Sequence, residues 1–164
     1  MQLTRAKPTE LEELYELEVA SFPADEAASR EGLEQRLTQA GEFFYVYRKE
    51  ADGPIVGFIN GTLSHGDRVT HEAMEGHDSN GSNLCIHGVV VRESCRGQGV
   101  GTAMMREYCK QVQQDARLKH ISLLAKAAKR AFYERVGFAC LGESHVTHGQ
   151  DTWLDFVLEC SGLN

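Results

Sequence analysis

The stretch that most restricts how this chain can fold runs from Cys85 to about Gln114. Val89-Val90-Val91 is a β-branched apolar run suited to a buried strand. Arg96-Gly97-Gln98-Gly99-Val100-Gly101-Thr102 follows, with glycine at alternate positions, and then Met105, Tyr108, Cys109 and Val112 recur at helical spacing. A strand, a glycine loop and an amphipathic helix in that order bring a helix N-terminus to the end of a strand. Without a Cβ, glycine takes positive φ and allows another group to approach the backbone closely. The first N–H groups of a helix have no intrahelical partner and lie at the positive end of its dipole. A phosphate or pyrophosphate is the natural guest of such a place, and Arg96 adds a full positive charge beside it. On spacing alone, the same glycines also suit an ordinary flexible turn.

The chain has 164 residues, enough for a proper core, and a single domain over residues 1–164 is expected. Its formal net charge of −7 argues against nucleic acid or an anionic membrane surface as the main partner and suits a cationic substrate. Cys85, Cys95, Cys109, Cys140 and Cys160 contain no Cys-x-x-Cys pair, and the chain opens on no apolar leader. Reduced thiols in the cytoplasm are the expectation, and no apolar run approaches membrane-spanning length. His65, His71 and His77 are spaced six and six residues apart with no tight pair, so no metal is expected.

In chain order, Leu3 to Ala6 reads as a short strand. Pro8 starts a helix with Glu10, Glu12 and Glu13 near its positive end and an apolar stripe of Leu11, Leu14, Leu17 and Val19. Phe22-Pro23 ends it. The segment Phe22 to Ala28 is either a surface loop or a loop of a binding pocket, and Asp25 and Glu26 suit both readings. Ser29 caps a second helix carrying Leu33 and Leu37 and ending near Gly41. Phe43 to Tyr47 and Ile55 to Leu63 predict an antiparallel hairpin across Asp52-Gly53-Pro54, with Gly57 and Gly61 as sites of a bulge or a close backbone contact. Ser64 to Ser82 is a polar excursion with a short helix near Thr70 to Glu75. Beyond the central helix, Lys119 to Ala125 is a strand, Ala127 to Val136 a helix closed by Gly137, and Phe138 to Leu141 and Thr152 to Cys160 are the last strands.

Arg96-Gly97-Gln98-Gly99-Val100-Gly101 resembles the Arg/Gln-x-x-Gly-x-Gly/Ala acyl-CoA signature of the GNAT acetyltransferase superfamily. Phe132-Tyr133-Glu134-Arg135-Val136-Gly137-Phe138 resembles its second hallmark, and Ser21 to Ser29 is similar to a stretch of the non-vertebrate arylalkylamine (serotonin) N-acetyltransferases. The resemblance implies an α/β (α+β) GNAT fold: a mixed, mostly antiparallel sheet splayed at its central strand pair, with helices on both faces. It implies acetyl-CoA as co-substrate, with Arg96 to Thr102 at its pyrophosphate and the backbone of Val89, Val90 and Val91 at the acetyl and pantetheine groups.

A small primary amine is the implied acceptor. Tryptamine, serotonin and phenethylamine are the first expectation, polyamines the enzyme alternative, and a non-catalytic acyl-CoA-binding module the alternative of another class. In the arylalkylamine family two histidines one residue apart pass the proton; this chain keeps the second as His87 and carries Cys85 at the first. An imidazole titrates near neutral pH, whereas a thiol relays protons poorly unless its pKa is lowered. Cys85 as an acetylated nucleophile needs an activating partner. Tyr133 corresponds to the tyrosine facing the CoA sulfur, where its hydroxyl donates to the departing thiolate. Phe22, Pro23 and Trp153 are candidate walls for an aryl ring, although core packing accounts equally for Trp153. Lys126, where relatives often carry an acid or an amide, either reaches a CoA phosphate or is solvated. A monomer is expected, and the absence of a segment before the first strand makes control through an amino-terminal tail unexpected.

Overall fold

The structure, a computed structural model, describes residues 1–160. Seven strands form one mixed sheet in the order β1-β2-β3-β4-β5-β7-β6. They are β1 Gln2–Arg5, β2 Tyr45–Arg48, β3 Gly57–Ser64, β4 Asn83–Val91, β5 His120–Ala125, β6 Ala139–Glu143 and β7 Leu154–Glu159. The α-helices are α1 Leu11–Ser21, α2 Arg30–Gln39, α3 His71–Glu75, α4 Val100–Val112 and α5 Arg130–Val136. β4 and β5 pair in parallel, whereas β1–β2, β2–β3, β5–β7 and β6–β7 are antiparallel. The parallel register covers only Asn83–Ile86 of β4 against His120–Leu123 of β5.

The chain falls into two compact units. The first comprises Met1–Gly61 and Gly88–Tyr108. Its core joins Leu11, Leu14, Leu17, Leu33 and Leu37 of the two helices to Phe44, Val46, Ile55, Phe58 and Val90. Ser29 caps α2 by accepting the Gly32 N–H at 3.0 Å. The hairpin forms with its strands displaced along the chain. Phe43 and Phe44 spend their N–H groups in a 3₁₀ turn, on the carbonyls of Ala40 and Gly41, so β2 begins at Tyr45. The Ile55 N–H donates to Glu13 Oε2 rather than to a ladder. Gly57 opens β3 because a Cβ there would stand 2.6 Å from the Val90 carbonyl oxygen and 2.9 Å from Met104 Sδ. This is the close backbone contact its glycine suggested.

The apolar stripe of α1 departs from expectation at one position. Val19 is 52% exposed, and Glu18 lies in the buried stripe instead at 3% exposure. Helix geometry places residue 18 four after Leu14, on the face of Leu11 and Leu14, and turns residue 19 away. The carboxylate is tolerated because Oε2 accepts the Ala28 N–H at 3.0 Å. That bond ties the Phe22–Ala28 segment to α1.

The second unit comprises Thr62–His87 and the residues from Cys109 onward. Here α5 ends where Gly137, at φ 121°, donates to the carbonyls of Tyr133 and Glu134. Tyr133 packs among the rings of Phe132, Phe138 and Phe156. A bulge between Cys140 and Gly142 bends β6 against β7.

Candidate acyl-CoA and proton-transfer site

In the first unit, β4 runs out at Val91 into a short 3₁₀ turn at Glu93–Cys95, and the glycine loop leads directly into α4. Gly97 and Gly99 take φ of 75° and 79°, the left-handed region that only glycine occupies without strain. A Cβ built at either would meet nothing within 4 Å, so the loop is open on the outside. Gly101 and Thr102 lie in the first turn of α4, where N–H groups have no intrahelical acceptor; the bond that closes this end runs from Ala103 N to the Gly99 carbonyl. Val100 is buried beneath the loop. Gln98 braces the turn, donating from Nε2 to the Ser94 carbonyl at 3.4 Å. The Arg96 guanidinium is exposed but anchored, with Nε on the Val91 carbonyl at 2.8 Å and Nη2 on Ser21 Oγ at 3.2 Å. Open backbone, a helix start and a fixed cation together fit a pyrophosphate.

Along β4, the Val90 side chain belongs to the core, while Val89 and Val91 are half-buried. Phe22 is half-buried and packs on the core of this unit, whereas Pro23 is exposed.

The second unit holds His87, Cys85, Tyr133 and Trp153. His87 Nε2 lies 2.7 Å from Thr62 Oγ1, and the Thr62 hydroxyl donates to the Ala73 carbonyl at 3.1 Å. A carbonyl only accepts, and a hydroxyl has a single proton. Thr62 therefore accepts from Nε2–H. Cys85 is buried and is satisfied separately. Its Sγ lies 3.2 Å from Ser64 Oγ and 3.5 Å from both Ser122 Oγ and Asn83 Nδ2. Burial pushes its pKa up, only partly opposed by the Ser64 and Ser122 hydroxyls, so the group stays a neutral thiol at neutral pH. Burial also drives Tyr133 far above the ordinary phenol range, helped by the neighbouring Cys109. The Tyr133 hydroxyl makes no hydrogen bond to protein among the described residues.

Trp153 is half-buried, with its indole N–H bonded to the His148 carbonyl. Lys126 Nζ stands 5.4 Å over its ring and pairs with Asp151 at 2.8 Å.

Each histidine of the polar excursion has a protein partner. His65 meets Asp78, His71 meets Thr147, and His77 Nδ1 accepts the Leu63 N–H. Among the described residues no group of three or more His, Cys, Asp or Glu is arranged to hold a metal. No helix among them is long and apolar enough to cross a membrane.

Sequence reasoning missed Thr62, which reads as one more β-branched strand residue. It also missed Glu18 and Asn60, both buried. The only available signal for Glu18 was an acid at an apolar helix position.

The model of the Acetyltransferase (GNAT) family matches residues 11–138. Serotonin N-acetyltransferase of Mesocricetus auratus is 30% identical over 110 residues, which cover 67% of this chain and 52% of that protein. The Homo sapiens enzyme of the same name is 29% identical over the same coverage. The chain thus spans about half the length of the curated relatives it matches. Among solved structures, the GphF GNAT-like decarboxylase in complex with isobutyryl-CoA superposes at a TM-score of 0.85 and 18% identity, covering 98% of this chain and 100% of that one. A ribosomal-protein-alanine N-acetyltransferase from Brucella melitensis superposes at 0.70 and 15% identity, covering 97% and 99%. At these identities the superpositions speak for the fold alone. The matched span contains both the glycine loop and the Phe132–Phe138 motif, and the chain belongs to the GNAT family of acetyltransferases, which take their acyl group from acyl-CoA.

Proposed function

We propose that this chain transfers acetyl from acetyl-CoA to small primary amines, with arylalkylamines as the preferred class and the whole chain acting as one acetyltransferase domain. The observation that carries the reading is the hold on His87: its Nε2 lies 2.7 Å from Thr62 Oγ1, whose hydroxyl donates to the Ala73 carbonyl. An alkyl amine is mostly ammonium at neutral pH, its pKa being about 10.4, and only the neutral form attacks a thioester. The His87 imidazole, oriented by Thr62, supplies the base. The similarity to serotonin N-acetyltransferases supports the substrate class. The five unpaired thiols support a reducing, cytoplasmic setting.

The roles follow from the chemistry. The amides of the glycine loop and the α4 start hold the pyrophosphate, and Arg96 adds its charge. The β4 backbone at Val89 to Val91 aligns the acetyl group, and Phe22 and Pro23 of the same unit meet the aryl part of the amine. Attack forms the C–N bond and breaks the C–S bond, and the thiolate leaves. Tyr133, with its pKa raised so far, remains protonated and stabilises the thiolate by donating a hydrogen bond rather than by giving up its proton. Tyr133→Phe accordingly lowers kcat by about 10- to 100-fold, less than a full general acid is worth. The KM for acetyl-CoA stays within about threefold, because the interaction arises mainly in the transition state. A Tyr133→Phe enzyme with unchanged kcat overturns the assignment.

Cys85 is a neutral, hydrogen-bonded core thiol in this scheme and forms no acetyl-enzyme. Cys85→Ala keeps kcat within about fivefold and costs about 1–2 kcal/mol of stability through the lost burial and the stranded hydroxyls. Mass spectrometry after incubation with acetyl-CoA alone shows no acetyl group on Cys85; an acetylated Cys85 that is discharged by amine would contradict the direct mechanism.

A thiol-release assay with acetyl-CoA tests the whole reading against tryptamine, serotonin, phenethylamine, spermidine, putrescine and a lysine peptide. Aryl amines are expected to lead in kcat/KM. A lead for spermidine makes the chain a polyamine acetyltransferase. Acetyl-CoA binding without turnover of any amine makes it a binding module.

A further inference from the structure

The first unit contains a buried polar cluster that the scheme above leaves unused. Glu18 on α1 and Asn60 on β3 are 3% and 0% exposed. Each has one committed atom and one uncommitted atom. Glu18 Oε2 accepts the Ala28 N–H, and Asn60 Oδ1 accepts from Arg36 Nη1 at 3.0 Å. Glu18 Oε1 and Asn60 Nδ2 are buried without a partner among the described residues. Both face one spot on β4: a Cβ built on Gly88 would lie 3.0 Å from Asn60 Nδ2 and 3.6 Å from Glu18 Oε1. An orphaned acceptor and an orphaned donor, held in orientation by their committed ends and converging on a residue without a side chain, demand a group that both accepts and donates. Bulk solvent does not reach either atom, so the group they share is internal. Water is the smallest group with both capacities.

We propose that Glu18 and Asn60 hold one water against Gly88 and that Glu18 is, through this water, a further proton acceptor for the amine. The proposal rests on the amine-acetylation reading. The position suits proton transfer, because Oε2 anchors the Phe22–Ala28 segment, the amine-side loop, while Oε1 faces the strand whose next residues align the acetyl group. In the step, His87 has taken the first ammonium proton and attack has formed the C–N bond; the nitrogen's surplus N–H bond then breaks, that proton joins the water, and the water passes its own proton to Oε1. The electron pair stays on the nitrogen, which becomes the amide nitrogen as the C–S bond breaks. Burial raises the pKa of the Glu18 carboxyl, against the Ala28 N–H bond and the Arg36 charge, which both favour the carboxylate. Gly88 matters because any side chain there occupies the water's place.

The test combines a high-resolution crystal structure of the whole chain with the kinetics of Glu18→Gln and Gly88→Ala on the best aryl amine. The glutamine keeps an oxygen for the Ala28 amide and loses only the capacity to take a proton. The crystal structure is expected to show an ordered water within hydrogen-bond distance of Glu18 Oε1 and Asn60 Nδ2. Glu18→Gln is expected to lower kcat by about 100-fold and to change its pH profile, with acetyl-CoA affinity unchanged. Gly88→Ala is expected to reproduce the loss by displacing the water. Direct contact between Oε1 and Nδ2 with no water overturns the relay, and so does a Glu18→Gln enzyme within about threefold of wild type on an amine that wild type acetylates. If wild type acetylates no amine at all, the amine reading falls first and takes the relay with it.

Discussion

His87→Ala lowers kcat/KM for aryl amine acetylation by about 10²- to 10⁴-fold, the range for removing a positioned general base, and leaves the dissociation constant of acetyl-CoA within about twofold. The split follows from where the ring sits. His87 is on β4 and its Nε2–H is held by Thr62, whereas the candidate pyrophosphate donors belong to the glycine loop and α4. The substitution removes the imidazole but no group of the glycine loop or of α4. Thr62→Val provides the companion experiment. Valine keeps the branched shape and removes the oxygen that accepts Nε2–H, so the ring loses its tautomer preference and kcat falls by about tenfold. The double variant loses little more than His87→Ala, because the two residues act as a unit. Steady-state kinetics with calorimetric titration of acetyl-CoA decides the matter: a His87→Ala enzyme with near wild-type kcat removes the ring from the mechanism, and a large loss of acetyl-CoA affinity moves its role to binding.

Gly57→Ala destabilises the fold by about 2–3 kcal/mol, at the upper end for overpacking, and lowers the melting temperature by about 5–10 °C in a chain of this size. The added methyl would lie 2.6 Å from the Val90 carbonyl oxygen and 2.9 Å from Met104 Sδ. The thioether can move, but the carbonyl belongs to a strand held in place on the same side. Arg92 N–H donates to the Val56 carbonyl at 2.7 Å, and Arg92 Nε to the Ile55 carbonyl at 2.9 Å. Relief therefore requires β3 and β4 to part near Val90. Gly41→Ala is the control: its built Cβ meets nothing within 4 Å and its φ is not positive. Thermal unfolding of the two variants side by side should separate them clearly, and a Gly57→Ala protein melting with Gly41→Ala refutes the packing argument.

Much of the fold was legible because local signals agreed with it. Ser29 caps α2, Gly137 closes α5, and Met105, Tyr108, Cys109 and Val112 form the buried face of α4. Gly97 and Gly99 adopt the positive φ that their place before a helix implied. The boundaries that moved did so because a neighbouring element took the hydrogen-bonding groups. Phe43 and Phe44 are aromatic and β-prone, but the end of α2 tightens into a turn that uses their amides. Ile55 is apolar, but the Glu13 carboxylate claims its N–H before the ladder begins.

The site divides in the same way. The glycine loop stood out because a strand, a loop and a helix follow one another in the chain, whereas His87 and Tyr133 were singled out only by the family resemblance. Thr62 lies 25 residues from His87, and Asn60 lies 24 from Arg36, so no local period links them. Lys126 was ambiguous until Asp151 appeared beside it. By itself the sequence determined the strand–loop–helix unit and the order of the elements, since backbone conformation and hydrophobic period are local properties. Only the tertiary structure decided that Thr62 meets the His87 ring, that Cys85 is a buried thiol with its pKa pushed up, and that Glu18 replaces Val19 in the buried stripe of α1. Proton affinity and burial depend on partners brought together through space, and sequence spacing carries no record of them.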